Sequence, residues 1–79
     1  MSDNEIVQLV LAGNRDAFRA IAEKYQGMVF RTCIGFVHNK EDAEDITQET
    51  FIQVCRHVDQ FREDSQLYTW IYTIAKNLC

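Results

Sequence analysis

The chain has 79 residues, enough for one small domain and no more. Its hydrophobic fraction of 47% and aromatic fraction of 11% argue against disorder, and a net charge of −4 is awkward for a nucleic-acid binder. No apolar run approaches the roughly 20 residues that span a membrane, and the acidic start Met-Ser-Asp-Asn-Glu is unlike a secretory signal, so a cytoplasmic protein with no membrane partner is expected.

There is no proline, apolar residues recur at steps of three and four, and no segment alternates with period two. The first helix opens on Ser2-Asp3-Asn4-Glu5, a capping box, with Met1 and Ile6 placed for a hydrophobic staple. Ile6, Leu9 and Val10 form its inner stripe, and Gly13 suits a left-handed stop. Asn14 caps a longer second helix whose apolar face is Phe18, Ile21, Ala22, Tyr25, Val29, Cys33, Phe36 and Val37. Gly27 and Gly35 each weaken it by roughly 1 kcal/mol relative to alanine, and Gly27 marks either a kink or a close helix contact. Asn39 caps a third helix with an acidic first turn. Its stripe is Ala43, Ile46, Thr50, Phe51, Val54 and Val58, running out at Phe61. After a loop at Arg62-Glu63-Asp64, Ser65 or Asp64 caps a fourth helix with Leu67, Trp70, Ile71, Ile74, Ala75 and Leu78 inside. The pattern predicts an all-α fold, a compact bundle of four helices.

Chemistry is harder to find. The cysteines Cys33, Cys55 and Cys79 lack zinc-ligand spacing with His38 or His57, and Cys33 and Cys55 read as small core hydrophobes. Glu41, Asp42, Glu44 and Asp45 crowd one helical turn without a histidine base, and no Gly-rich phosphate loop is present. No catalytic residue, metal or cofactor is expected, and the chain does not read as an enzyme.

Two helix faces are left over. The third helix turns out Glu44, Asp45, Gln48, Glu49, Ile52, Gln53 and Arg56. Composition alone is that of a solvated face, but an acidic surface with one exposed isoleucine also suits a basic protein partner. The fourth helix turns out Tyr68, Thr69, Tyr72, Thr73, Lys76 and Asn77, with no acidic residue from 65 to 79. Tyrosines that merely flank the core would look the same. Alternatively the rings stack on unpaired bases, at roughly 1–3 kcal/mol each, while Lys76 and the hydroxyls reach phosphates.

The string Asp42-Ala43-Glu44-Asp45-Ile46-Thr47-Gln48-Glu49-Thr50-Phe51 resembles the signature of region 2 in extracytoplasmic-function (ECF) sigma factors, of the sigma-70 family. At the expected distance follow Phe61-Arg62-Glu63-Asp64-Ser65 and the run Tyr68 to Leu78, and upstream Ala17-Phe18, Tyr25 and Val29-Phe30-Arg31 are similar to the family's first helices. Three blocks in register cover about residues 5–79.

The resemblance implies a promoter-melting initiation factor domain. Asp45, Gln48, Glu49 and Ile52 would dock on the clamp helices of the largest subunit of core RNA polymerase. The loop Arg62, Glu63, Asp64, Ser65 and Gln66, with Tyr68, Thr69, Tyr72, Thr73, Lys76 and Asn77, would take the non-template strand of the promoter −10 element. One base would flip into a pocket made by the loop, at a cost of a few kcal/mol that pocket contacts and stacking must offset. Trp70 is expected in the core, not as a wedge. An anti-sigma factor is a further expected partner. Glu63 stands where the family commonly has glycine, and Thr73 where it often has arginine. The C-terminal helix-turn-helix domain that reads the −35 element is absent from this chain, which is expected to be the N-terminal domain of a longer protein. The alternative is a helical protein-interaction module without DNA recognition.

Overall fold

Local capping sets where the helices begin. The computed structural model describes residues 2–62 and 64–79. In it α1 spans Asp3–Leu11, α2 Arg15–Val37, α3 Lys40–His57 and α4 Leu67–Leu78, with a 3-10 turn at Val58–Gln60. Ser2 Oγ accepts from the Glu5 amide at 3.3 Å, Asn14 Oδ1 from the Ala17 amide at 3.1 Å, and Asn39 Oδ1 from the Asp42 amide at 3.0 Å. Each satisfies one amide that the first turn leaves without an internal partner. Gly13 takes φ +93, which only glycine adopts cheaply, and turns the chain sharply into α2. The expected staple involves Met1, which lies outside the described residues.

The fourth cap differs from expectation. Neither Ser65 nor Asp64 caps α4; Gln66 occupies that position and makes no side-chain capping bond. The Ser65 amide instead donates to the Arg62 carbonyl at 3.0 Å, closing a turn that uses up the residues nearest the helix start.

At 1.5 Å per residue the 23 residues of α2 span about 35 Å, which matches the long axis of the 36 × 23 × 20 Å molecule. The other three helices pack against this rod. Val29, Cys33, Ala43, Val54, Ile71 and Ala75 are wholly enclosed, so α2, α3 and α4 share one core. Thr50 is the buried polar residue among them; its hydroxyl donates to the Ile46 carbonyl at 2.8 Å, which removes the cost of burying it.

Several stripe assignments shift. Val7 is the buried residue of α1, with Ile6, Leu9 and Val10 only half-buried around it. Met28 joins the core, whereas Phe36, next to the last residue of α2, is 53% exposed even though Ile34 and Val37 on either side of it pack against the core. Leu78 is likewise exposed at the end of α4. Trp70 is half-buried, not enclosed: its ring lies on Phe61 at 5.3 Å. Cys55 is exposed, so only Cys33 is the core thiol expected of both. Gly27 lies within an unbroken α2 and no other helix comes within 4 Å of a Cβ placed there; such a Cβ would meet the Arg31 guanidinium at 3.2 Å.

Candidate functional site

Two separate surfaces carry the residues that the sequence singled out. On α3, Asp45, Gln48 and Ile52 are exposed, Ile52 at 46%, and Glu49 is half-buried. Glu49 Oε1 accepts from Gln53 Nε2 at 2.9 Å, and His57 Nε2 in turn meets Gln53 Oε1 at 3.2 Å. These one-turn steps hold the carboxylate in a fixed rotamer along the helix.

Beside this face an apolar groove of about 580 Å³ runs between α2 and α3, lined by Phe18, Gln26, Gln48, Phe51, Ile52 and Cys55, with Arg56 at its edge. The groove joins an anchor depression to the acidic ridge, an arrangement suited to a helical partner. Phe18, expected on the inner face of α2, is half-buried and packs against the core while lining this groove, whereas Cys55, expected as a small core residue, is exposed in it.

On α4 the exposed residues divide around the helix. Tyr68, Tyr72 and Lys76 follow one another at single-turn spacing, Tyr68 being 50% and Tyr72 37% exposed, and Thr69 and Thr73 flank them. Thr73 Oγ1 donates to the Thr69 carbonyl at 2.9 Å, so its proton is committed to the helix. At 3.6 residues per turn Asn77 comes round to the side opposite Tyr68. It lines a shallow recess with Gln53, His57 and Ile74, so the structure does not bring it together with the tyrosine face.

The loop before α4 lies at the Tyr68 end. Arg62 and Asp64 form a loose ion pair at 3.6 Å, with both side chains largely exposed, a contact that water screens. Glu63, named above for this loop, lies outside the described residues. Ser65, Gln66 and Tyr68 border a cavity of about 380 Å³ whose other wall is Asp3, Asn4 and Tyr25. The Tyr25 and Tyr68 rings meet edge-on, with centroids 6.2 Å apart.

That far wall is held by its own network, which no sequence signal announced. Asp3 accepts from Lys24 Nζ at 2.8 Å through one oxygen and from the Tyr25 hydroxyl at 2.5 Å through the other. Lys24 Nζ also sits 5.3 Å from the Tyr25 ring centroid. Desolvation pushes the Asp3 carboxyl up, but the Lys24 and Tyr25 hydrogen bonds and the Lys24 charge outweigh it and hold the pKa below its ordinary value. Burial and the adjacent Asp3 carboxylate push the Tyr25 phenol up, so it stays a donor.

Among the described residues no group of three or more His, Cys, Asp or Glu side chains is placed to hold a metal ion, and no helix is long and apolar enough to cross a membrane.

Comparison with known proteins bears on these surfaces. A family model described as Sigma-70 region 2 matches residues 21–79. The chain is similar to the RNA polymerase sigma-H factor of Pseudomonas aeruginosa, with 40% identity over 75 residues, 95% of this chain and 39% of that protein. It is also similar to the ECF RNA polymerase sigma-E factor of Haemophilus influenzae, 35% identical over 98% of this chain and 40% of that one. The ECF RNA polymerase sigma factor SigW of Bacillus subtilis is 36% identical over 91% of this chain and 38% of its own length. The chain thus spans about two fifths of the length of these curated relatives. Among solved structures, the NMR structure of an engineered region 2 of sigmaE in complex with GTAAAA superposes with a TM-score of 0.91 at 32% identity, covering 99% of this chain and 81% of that one.

Proposed function

This chain belongs to the sigma-70 region 2 family, and from that premise we propose that it is the region 2 domain of an ECF sigma factor. It binds core RNA polymerase and holds the non-template strand of the promoter −10 element as the duplex opens. The family is one of transcription initiation factors, not of enzymes.

The observation that carries this reading is a likeness of fold at TM-score 0.91 to a region 2 bound to GTAAAA, together with an exposed aromatic and basic face on α4. Tyr68 and Tyr72 offer rings to unpaired bases, and Lys76 supplies the adjacent cation. The cavity beside residues 65–68 receives the flipped base, and the loop from Arg62 to Gln66 sets which base is favoured. Arg62 and Thr69 are within the same end of the domain and make the phosphate contacts there. Thr73 contributes through its free lone pairs only, and Asn77, on the far side of α4, through contacts at the margin.

The opposite surface binds protein. Asp45, Gln48 and Glu49 steer a basic partner, and Ile52 seats in it, with the groove at Phe18, Phe51 and Cys55 taking further apolar side chains. We assign this surface to the clamp helices of the largest polymerase subunit, and an anti-sigma factor that covers it would block that docking. The 79 residues are read as one domain of a longer factor, whose helix-turn-helix domain reads the −35 element.

Run-off transcription with the full-length protein and core polymerase tests the proposal. Promoter-dependent transcripts that vanish when residues 62–66 and Tyr72 are altered are the expected result. A protein that binds polymerase yet never supports initiation from any promoter would contradict it.

A further inference from the structure

The cavity proposed for the flipped base is only half built by the loop. Its other half comes from the opposite end of the chain: Asp3 and Asn4 at the start of α1, and Tyr25 beneath them, face Ser65, Gln66 and Tyr68 across about 380 Å³. That volume is at the lower end of small-ligand sites and has room for a planar base.

Of these groups Asp3 is the one that cannot adapt. A hydroxyl or an amide can present either a donor or an acceptor to a base edge, whereas an ionised carboxylate only accepts. Its position is fixed from behind by Lys24 at 2.8 Å and the Tyr25 hydroxyl at 2.5 Å. Those bonds engage one lone pair on each oxygen, and a carboxylate has about four acceptor sites, so capacity remains on a side chain that lines the cavity and is 26% exposed. The lowered pKa keeps it ionised at neutral pH. Tyr68, 50% exposed, supplies the ring against which a base lies.

Resting on the single-strand reading above, we infer that Asp3 is a specificity-determining residue of the pocket, selecting a base that carries an exocyclic amino group and disfavouring thymine. Cytosine, adenine and guanine each offer such a donor; thymine offers only its ring N–H, flanked by two keto oxygens that the carboxylate repels. Lys24 and Tyr25 are positioning residues that act through Asp3.

The test is binding of the chain to the single-stranded hexamer GTAAAA and to variants in which each position in turn carries A, C, G, T or an abasic site. At the pocket position the wild type should prefer amino-bearing bases to thymine by about tenfold, the size of one charge-assisted hydrogen bond. The separate C, A and G arms then tell which of the three fits. Asp3→Asn, which can donate as well as accept, should bring thymine within about twofold of the others. Asp3→Ser gives a second variant with the same expected outcome, and thermal melts of both establish that the fold is kept. If both variants retain the wild-type ranking of bases, the inference is overturned and the single-strand reading stands. If the wild type binds no oligonucleotide, both fall together.

Discussion

The rings of Phe61 and Trp70 lie 5.3 Å apart and tilted by 54°, joining the residue after the 3-10 turn to the first turn of α4. They bracket the loop between the two helices, which has no side-chain cap of its own. Because Trp70 is only half-buried, Trp70→Ala should cost about 2 kcal/mol, against about 3–5 for the enclosed Phe51→Ala. Urea melts of the two variants check this. Equal stability of Trp70→Ala and wild type would mean that α4 is rotated away from Phe61.

The tie from Asp3 to Lys24 and Tyr25 makes stability depend on pH at both ends. Asp3 has a lowered pKa, so its contribution is complete above the ordinary value of 3.8 and is lost as pH falls through the folded value. Tyr25 has a raised pKa, so its contribution is complete below 10.0 and is lost as pH rises through the folded value. Denaturation midpoints should therefore be flat between about pH 5 and 9 and fall on either side. In Asp3→Asn the acid limb should be shallower; an unchanged acid limb would show that Asp3 is not held as described.

On the face proposed to bind polymerase, Glu49→Lys reverses one charge of the α3 ridge and breaks its bond to Gln53. Affinity for core polymerase should drop at least about tenfold while helicity by circular dichroism stays constant, since surface changes usually move stability by under about 0.5 kcal/mol. Asp59→Lys, exposed in the 3-10 turn, is the matched control and should bind as wild type. Equal affinities for all three proteins would remove this face from the account.

What the sequence disclosed follows the range of the interactions concerned. Ser2, Asn14 and Asn39 were readable as caps because each bonds an amide three residues on, inside one short window. The fourth cap was misplaced because α4 starts at Leu67, after a turn closed by the Ser65 amide on the Arg62 carbonyl, which leaves Gln66 at the cap position. Phe36 and Leu78 obey the helical period yet stay exposed near the ends of α2 and α4, which periodicity within one element does not register. Spacing disclosed the exposed faces of α3 and α4, and resemblance to a family is what assigned them to polymerase and to bases. The Asp3 wall of the cavity escaped both routes: its partners lie 21 and 22 residues away, and the loop it faces is near the other end of the chain.

The three cysteines should separate by reactivity. Burial, followed by the neighbouring Cys79 thiol, pushes the Cys33 thiol up to about 11, with Thr47 opposing, and Cys33 is fully enclosed. Cys55 and Cys79 are exposed. At pH 8 a thiol-exchange dye should label two cysteines of the folded chain quickly, and the third only on unfolding. Rapid labelling of all three in the native protein would contradict the packing of α2 against α3 and α4.

Single-strand recognition is the centre of the account, and a fluorescence anisotropy titration measures it most directly. The chain is titrated with GTAAAA-type single strands and with the matching duplex at physiological salt. Duplex binding should be negligible, because a chain of net charge −4 neutralises few phosphates. Single strands should bind weakly and with sequence preference. Tyr72→Ala should weaken binding by about tenfold, and Lys76→Ala should weaken all sequences alike and lower the salt slope by about one phosphate. Exchanging residues 62–66 for a relative's loop should change the favoured base without abolishing binding. If single strand and duplex bind alike, or if the Tyr72 and loop variants bind as wild type does, the domain is a protein-interaction module and the DNA half of the account is wrong.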